Sequence, residues 1–222
     1  MATGVQLAQA QSIPAGTVSL GGNIGYSRTS GKSSSSNPSG TTFTAETSTS
    51  QFTLAPSVGY FVADNLSIGL SLSYQAYNRY YTTYTPAQGT QRPQLEPTTL
   101  FRIGVYGQYY KMLSEQFGFT GTLGAGYQTQ HDYAYTGQGG TTISELKGSG
   151  YYAALTPGIV FFPIPKLGLT ASIGSLGLDH LTYDYPTNAG NTPNGYENYS
   201  NTFGASFGLS QLQFGGTWYF GR

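Results

Sequence analysis

Both histidines of this chain sit beside a carboxylate, as His131-Asp132 and Asp179-His180, and these pairs are the first place to look for acid/base or metal chemistry. Adjacent side chains of an extended strand point to opposite faces, which is poor geometry for an acid/base dyad. Two histidines from different strands, joined by Asp132 or Asp179, would give a metal its donors, but no ligand spacing supports that site. Cysteine is absent, which excludes thiolate ligands, thiol nucleophiles and disulfides. Gly104-Val-Tyr-Gly107 and Gly121-Thr-Leu-Gly-Ala-Gly126 look like phosphate loops only superficially, because they lie inside strand patterns and open no helix. The expectation is therefore no catalytic residue, no metal ligand and no cofactor.

Other polar residues are placed by their parity. Gln75, Arg79, Arg102, Gln108 and Gln128 alternate with apolar neighbours and fall on the polar face of their strands. Either they line a water-filled path or they form a hydrogen-bonded plug, with Asp or Glu from nearby strands pairing the arginines. Tyr77, Tyr106 and Tyr152 share that face and would fill it. The plug is the expectation, since an eight-stranded barrel encloses little more than its own side chains. Tyr84, Tyr135, Tyr185 and Tyr196 fall in or beside connections rich in Ser, Gly, Thr and Asn, a composition suited to surface recognition.

The elements that carry these residues are strands. From Leu66, alternate positions read Leu66, Ile68, Leu70, Leu72, Tyr74 and Ala76, while Ser67, Gly69, Ser71, Ser73 and Gln75 lie between. Similar alternation recurs about eight times. Connections alternate long and short: Ser30–Ala45, Thr82–Pro97, His131–Leu146 and Asp184–Asn198 are long. Ala63-Asp64-Asn65, Leu113-Ser114-Glu115 and Pro163-Ile164-Pro165-Lys166 are tight. That asymmetry fits an eight-stranded antiparallel up-and-down barrel with short periplasmic turns and longer outer loops. Alternation slips near Gly174-Ser175 and near Ser210-Gln211, where β-bulges are predicted.

Aromatics cluster at both strand ends. Tyr60, Tyr109, Phe117, Phe161, Trp218 and Phe220 fall toward the short turns, and Tyr26, Tyr74, Tyr127, Tyr151 and Tyr183 toward the long connections. Two such bands are expected where a barrel wall meets the two surfaces of a bilayer.

Composition agrees. Only 8% of the 222 residues are charged, against roughly 25% in soluble domains, and the nine basic and nine acidic residues cancel. No electrostatic footprint for nucleic acid results. Ala8-Gln9-Ala10 has the small-x-small pattern of a signal-peptidase site. Residues 1–10 are thus expected to be a signal-peptide remnant or a disordered tail, and residues 11–222 the barrel.

With its strand pattern, loop asymmetry and final Phe214-Gly-Gly-Thr-Trp-Tyr-Phe220 segment, the chain resembles the small outer-membrane barrels of Gram-negative bacteria, the family of OmpX and the OmpA transmembrane domain. The resemblance covers about Gly16 to Phe220. Segments such as Ser57–Leu66 and Leu155–Ile159 look most like barrels of the Bacteroidetes type. The resemblance implies residence in the outer membrane among its lipid and lipopolysaccharide, and insertion by the barrel-assembly machinery, whose signal the terminal aromatic strand resembles. Gly221 and Arg222 after the aromatic depart from that signal. A structural, surface-recognition or complex-forming role without catalysis is expected. The alternatives are a narrow pore or carrier for small or apolar solutes, a lipid-modifying barrel enzyme using His180 or His131, and a soluble lipocalin-like binding barrel.

Overall fold

A computed structural model describes residues 12–36, 38, 42–84, 95–136, 142–184, 198–208 and 212–222. Ten strand segments follow one another: β1 (Val18–Ser36), β2 (Thr42–Ala63), β3 (Leu66–Tyr84), β4 (Thr98–Met112), β5 (Phe117–Thr136), β6 (Thr142–Ile164), β7 (Leu167–Ser172), β8 (Gly174–Asp184), β9 (Asn198–Phe207) and β10 (Gln213–Phe220). Every pairing between them is antiparallel. They build eight staves, because β7 and β8 are the two halves of the seventh and β9 and β10 those of the eighth. The ring closes through β1–β10 and β5–β6. The fold is all-β, an eight-stranded antiparallel up-and-down barrel.

Side-chain parity sets inside and outside. Leu66, Ile68, Leu70, Leu72 and Tyr74 project from the outer wall, as do Phe101, Ile103 and Val105 on β4. Between them Ser67 is fully buried, and Ser71 and Ser73 face the interior. Inward glycines leave room for rings. A Cβ on Gly59 or Gly69 would strike the Tyr106 side chain, and one on Gly104 would lie 2.6 Å from the Tyr152 hydroxyl.

The tight turns all lie at one end. Asp64 and Asn65 join β2 to β3, with Asn65 in the left-handed region at φ 62°. Between β4 and β5 the Ser114 hydroxyl accepts from the Phe117 amide at 3.1 Å. At the other end the strands run further than their composition suggests. The expected loops Ser30–Ala45 and His131–Leu146 are largely ladder, since β1–β2 pairing reaches Ser36↔Thr42 and β5–β6 pairing reaches Thr136↔Thr142. A register already fixed below carries β-compatible Ser and Thr along with it, whatever their weight in turn statistics. Residues 1–10 lie outside the described part of the chain.

The predicted slip on the seventh stave is a bulge. Leu155 pairs with Leu176 and Gly158 with Ser172, so three residues around Gly174 face two on β6. Gly174 has φ 129°, which favours glycine. Pro157, lacking an N–H, sits on β6 opposite this break, where the ladder needs no donor. On the eighth stave Gly174 pairs with Phe207 and Ser172 with Gln213. The expected bulge at Ser210-Gln211 lies outside the described residues.

Candidate functional site: a polar lumen above a dry plug

The lumen is built from two layers. Beside the short turns, Phe61, Tyr110, Met112, Val160, Phe162 and Tyr219 point inward and are buried together with Ile13. Phe61 lies 5.5 Å from the Tyr110 ring and 6.1 Å from Tyr219, and Phe162 lies 5.2 Å from Tyr219. The Tyr110 and Tyr219 hydroxyls share a hydrogen bond of 3.0 Å, and Tyr110 also donates to Gln108 Oε1 at 2.8 Å. Both tyrosine hydroxyls thus have a partner.

The segment before β1 closes this layer from below. Ile13 donates its N–H to Asn65 Oδ1 at 2.8 Å and accepts from the Asn65 N–H at 2.9 Å. Gly16 and Thr17 pair with the backbone of Phe61. Arg222 lays its guanidinium 3.7 Å over the Phe162 ring. Burial lowers the pKa of that guanidinium, and the Tyr219 and Tyr110 side chains oppose the shift.

None of this apolar layer was singled out in the sequence, although a signal exists. Tyr60-Phe61, Tyr109-Tyr110, Phe161-Phe162 and Trp218-Tyr219 are apolar on both faces, and all stand at the short-turn ends of strands. Where alternation stops and both parities are apolar, the interior as well as the exterior is dry.

Above the plug lies a polar cavity of about 400 Å³, lined by Gln75, Arg102, Gln108, Tyr106 and Tyr152 among many Ser and Thr. A charge pair joins β4 to β8: Arg102 Nη2 donates to Asp179 Oδ1 at 2.7 Å. Arg102 Nε donates to Gln128 Oε1 at 2.9 Å, and the guanidinium stacks 4.8 Å over the Tyr152 ring. Gln128, fully buried, donates in turn to the Tyr151 carbonyl at 3.4 Å. Four of the five expected lumen residues are thus in the lumen. Arg79 is not: β3–β4 pairing ends at Tyr77↔Thr98, and Arg79 stands exposed above it, 5.6 Å over the Tyr77 ring.

The histidine pairs separate as strand parity requires. Asp179 turns inward to Arg102, while His180 turns outward, stacks 4.7 Å from Tyr151 and bonds Asn201 Oδ1 at 2.5 Å. His131 pairs with Glu145 at 3.0 Å, and Asp132 accepts from the Thr98 hydroxyl at 2.6 Å. No cluster of three potential metal ligands occurs among the described residues.

On the outer wall Tyr60, Tyr109, Phe161, Trp218 and Phe220 are exposed near the short turns, with Phe117 half-buried. Tyr26, Tyr74, Tyr127 and Tyr151 are exposed higher up. Tyr183 departs from the expected belt: it pairs with Gly148, shares the inward parity of Asp179, and lays its ring over Gly148 on the lumen side near Gln130. Cross-strand pairs Tyr74↔Phe101 and Tyr127↔Tyr151 tie this upper group together. Tyr185 and Tyr196 lie outside the described residues, as do the side chains of Tyr84 and Tyr135.

Apolar wall, polar lumen and sealed end together define a small eight-stranded barrel of the outer-membrane type. The crystal structure of the outer membrane protein OprG from Pseudomonas aeruginosa has this fold, with a TM-score of 0.52 and 16% identity over 94% of this chain and 98% of that one. The N-terminal β-barrel domain of OprF from the same organism aligns over 95% of this chain and 100% of that domain, at 13% identity and a TM-score of 0.39. No protein-family model matches the sequence, nor does any curated protein.

Proposed function

We propose that the protein is a non-enzymatic, non-conducting barrel of the outer membrane of a Gram-negative bacterium, with a structural, surface-recognition or complex-forming role. Outer-membrane lipid and lipopolysaccharide contact its wall, and the barrel-assembly machinery inserts it. The observation that carries the non-conducting part is the dry layer of Ile13, Phe61, Tyr110, Met112, Val160, Phe162 and Tyr219 across the lumen. An ion crossing it would lose its hydration among rings that offer no compensating charge. The outer wall supports the membrane part: a soluble carrier of lipocalin type needs an apolar calyx and a polar exterior, and this barrel is the reverse. For catalysis, the outward, separately paired histidines supply no nucleophile-and-base geometry.

Single-channel recording on protein folded into planar bilayers tests the proposal. A flat baseline under applied voltage is expected. Discrete openings would replace this reading with the narrow-pore alternative.

A further inference from the structure

The barrel is zipped shut only in its short-turn half. β1 and β10 pair from Val18↔Phe220 to Asn23↔Gly215, and the last lumen-side contact is Asn23 Nδ2 donating to Gln213 Oε1 at 3.1 Å. Above that level the neighbour of β1 is β9, and among the described residues no ladder pair joins the two. Among the described residues, β1 pairs there with β2 and β9 with β8. Gly22, with φ 151°, marks the fork on β1, and Gly208, with φ 158°, marks it at the end of β9.

The side chains record the same opening. Of the large apolar residues described, the four most exposed are Phe203 (78%), Ile24 (71%), Tyr26 (68%) and Phe214 (67%), and all four flank this seam. Ile24 lies level with Leu54 and Tyr26 with Phe52, and Phe203 lies beside Leu178, so the gap is in the apolar band of the wall. Backbone N–H and C=O groups left open to hydrocarbon are costly, and barrels span membranes because closure removes such edges.

The direction of the two edges selects what covers them. β1 runs away from the short turns and β9 runs toward them, so the edges are complementary to each other. A single foreign strand placed between them would be antiparallel to one and parallel to the other. Two copies turned about an axis along the membrane normal leave no such conflict. β1 of each copy then meets β9 of its partner antiparallel, both copies keep the same end in the same leaflet, and all four edges are used.

We propose that the upper seam is the interface of a twofold homodimer in which β1 of one copy pairs with β9 of the other, above two separately closed lower rings. The arrangement rests on the membrane placement proposed above. It also lays Ile24 and Tyr26 of one copy beside Phe203 of its partner.

The chain has no cysteine, so Thr29→Cys on β1 and Gly204→Cys on β9 introduce single lumen-facing thiols. Gly204 has open space for a side chain. Differently tagged copies, one with each thiol, are folded together into lipid vesicles and treated with a short bismaleimide. A covalent dimer carrying both tags is expected, with no dimer from Thr29→Cys copies alone. An intrachain link in the double variant would mean that each barrel closes on itself, and would overturn the proposal. So would the absence of any link in protein that shows the compact, heat-sensitive gel band of a folded barrel. Subunit counting by photobleaching of the unsubstituted protein in bilayers gives an answer independent of the variants: two copies are expected, and one would overturn it. Failure of the membrane placement would look different, as no heat-sensitive band would form in lipid.

Discussion

Truncating Phe61 tests the dry plug at its centre. The ring is fully buried, packs against Tyr110 and Tyr219, and belongs to a residue held on both sides by backbone bonds to Gly16 and Thr17. With the backbone so fixed, the site has little freedom to collapse around a missing ring. Phe61→Ala is therefore placed in the middle of the range for buried Phe-to-Ala changes, about 4 kcal/mol. That corresponds to roughly a thousandfold in the folding equilibrium constant. Phe61→Leu keeps most of the volume and loses the aromatic contacts, and is expected to cost about 1–1.5 kcal/mol. The assay is denaturant unfolding in lipid vesicles followed by fluorescence of Trp218, the only tryptophan, which stands on the outer wall next in sequence to the inward-pointing Tyr219. If Phe61→Ala unfolds within about 1 kcal/mol of the unsubstituted protein, below the whole observed range for buried rings, the layer is not a packed, dry core.

Three further perturbations have defined outcomes. Arg102→Lys keeps the charge but offers one nitrogen in place of the two that bond Gln128 and Asp179; a loss of about 1–2 kcal/mol in the same unfolding assay is expected, and strict additivity with Asp179→Asn would show that the pair is not coupled. Gly150→Ala places a Cβ on the His180 carbonyl oxygen, whereas Gly121→Ala meets open space. The first should lose the compact, heat-sensitive gel band and the second should keep it, and equal behaviour would contradict the close approach of β6 and β8. Arg222→Ala removes the cation seated on the Phe162 ring; a loss of about 0.5–2 kcal/mol is expected, and no change would mean that the terminal arginine is not docked.

Most of the wall was legible from the chain alone because its signal is local. Leu66 to Ala76 alternates with a period of two, and that pattern settles which face each residue takes. The turn at Asp64-Asn65 and the bulge near Gly174 are likewise written in a few neighbouring residues. Strand length was not legible. Ser30–Ala45 and His131–Leu146 have the composition of loops, and their ladders depend on registers set many residues away. Arg102 was readable as a lumen residue, but its partner Asp179 was not, since the two are brought together only by closure of the ring. Arg79 shares the parity of Gln75, yet it lies above the point where β4 begins to pair, and parity carries no height. The plug was partly visible as apolar doublets such as Phe161-Phe162, where loss of alternation is itself the message. The seam was not visible at all, because no property of β1 or β9 separately fixes the distance between the first and last staves.

The account depends on hydrocarbon bathing the outer wall, and depth-resolved quenching tests that most directly. Single cysteines at Leu70, Ile103, Ser71 and Thr122, labelled with a small fluorophore, would be folded into vesicles of brominated lipid. Leu70 and Ile103 project outward, while Ser71 and Thr122 line the lumen cavity. Strong quenching at the first two positions and little at the second two is the predicted result. Quenching confined to Ser71 and Thr122, or absent at all four in protein that has folded, would contradict it.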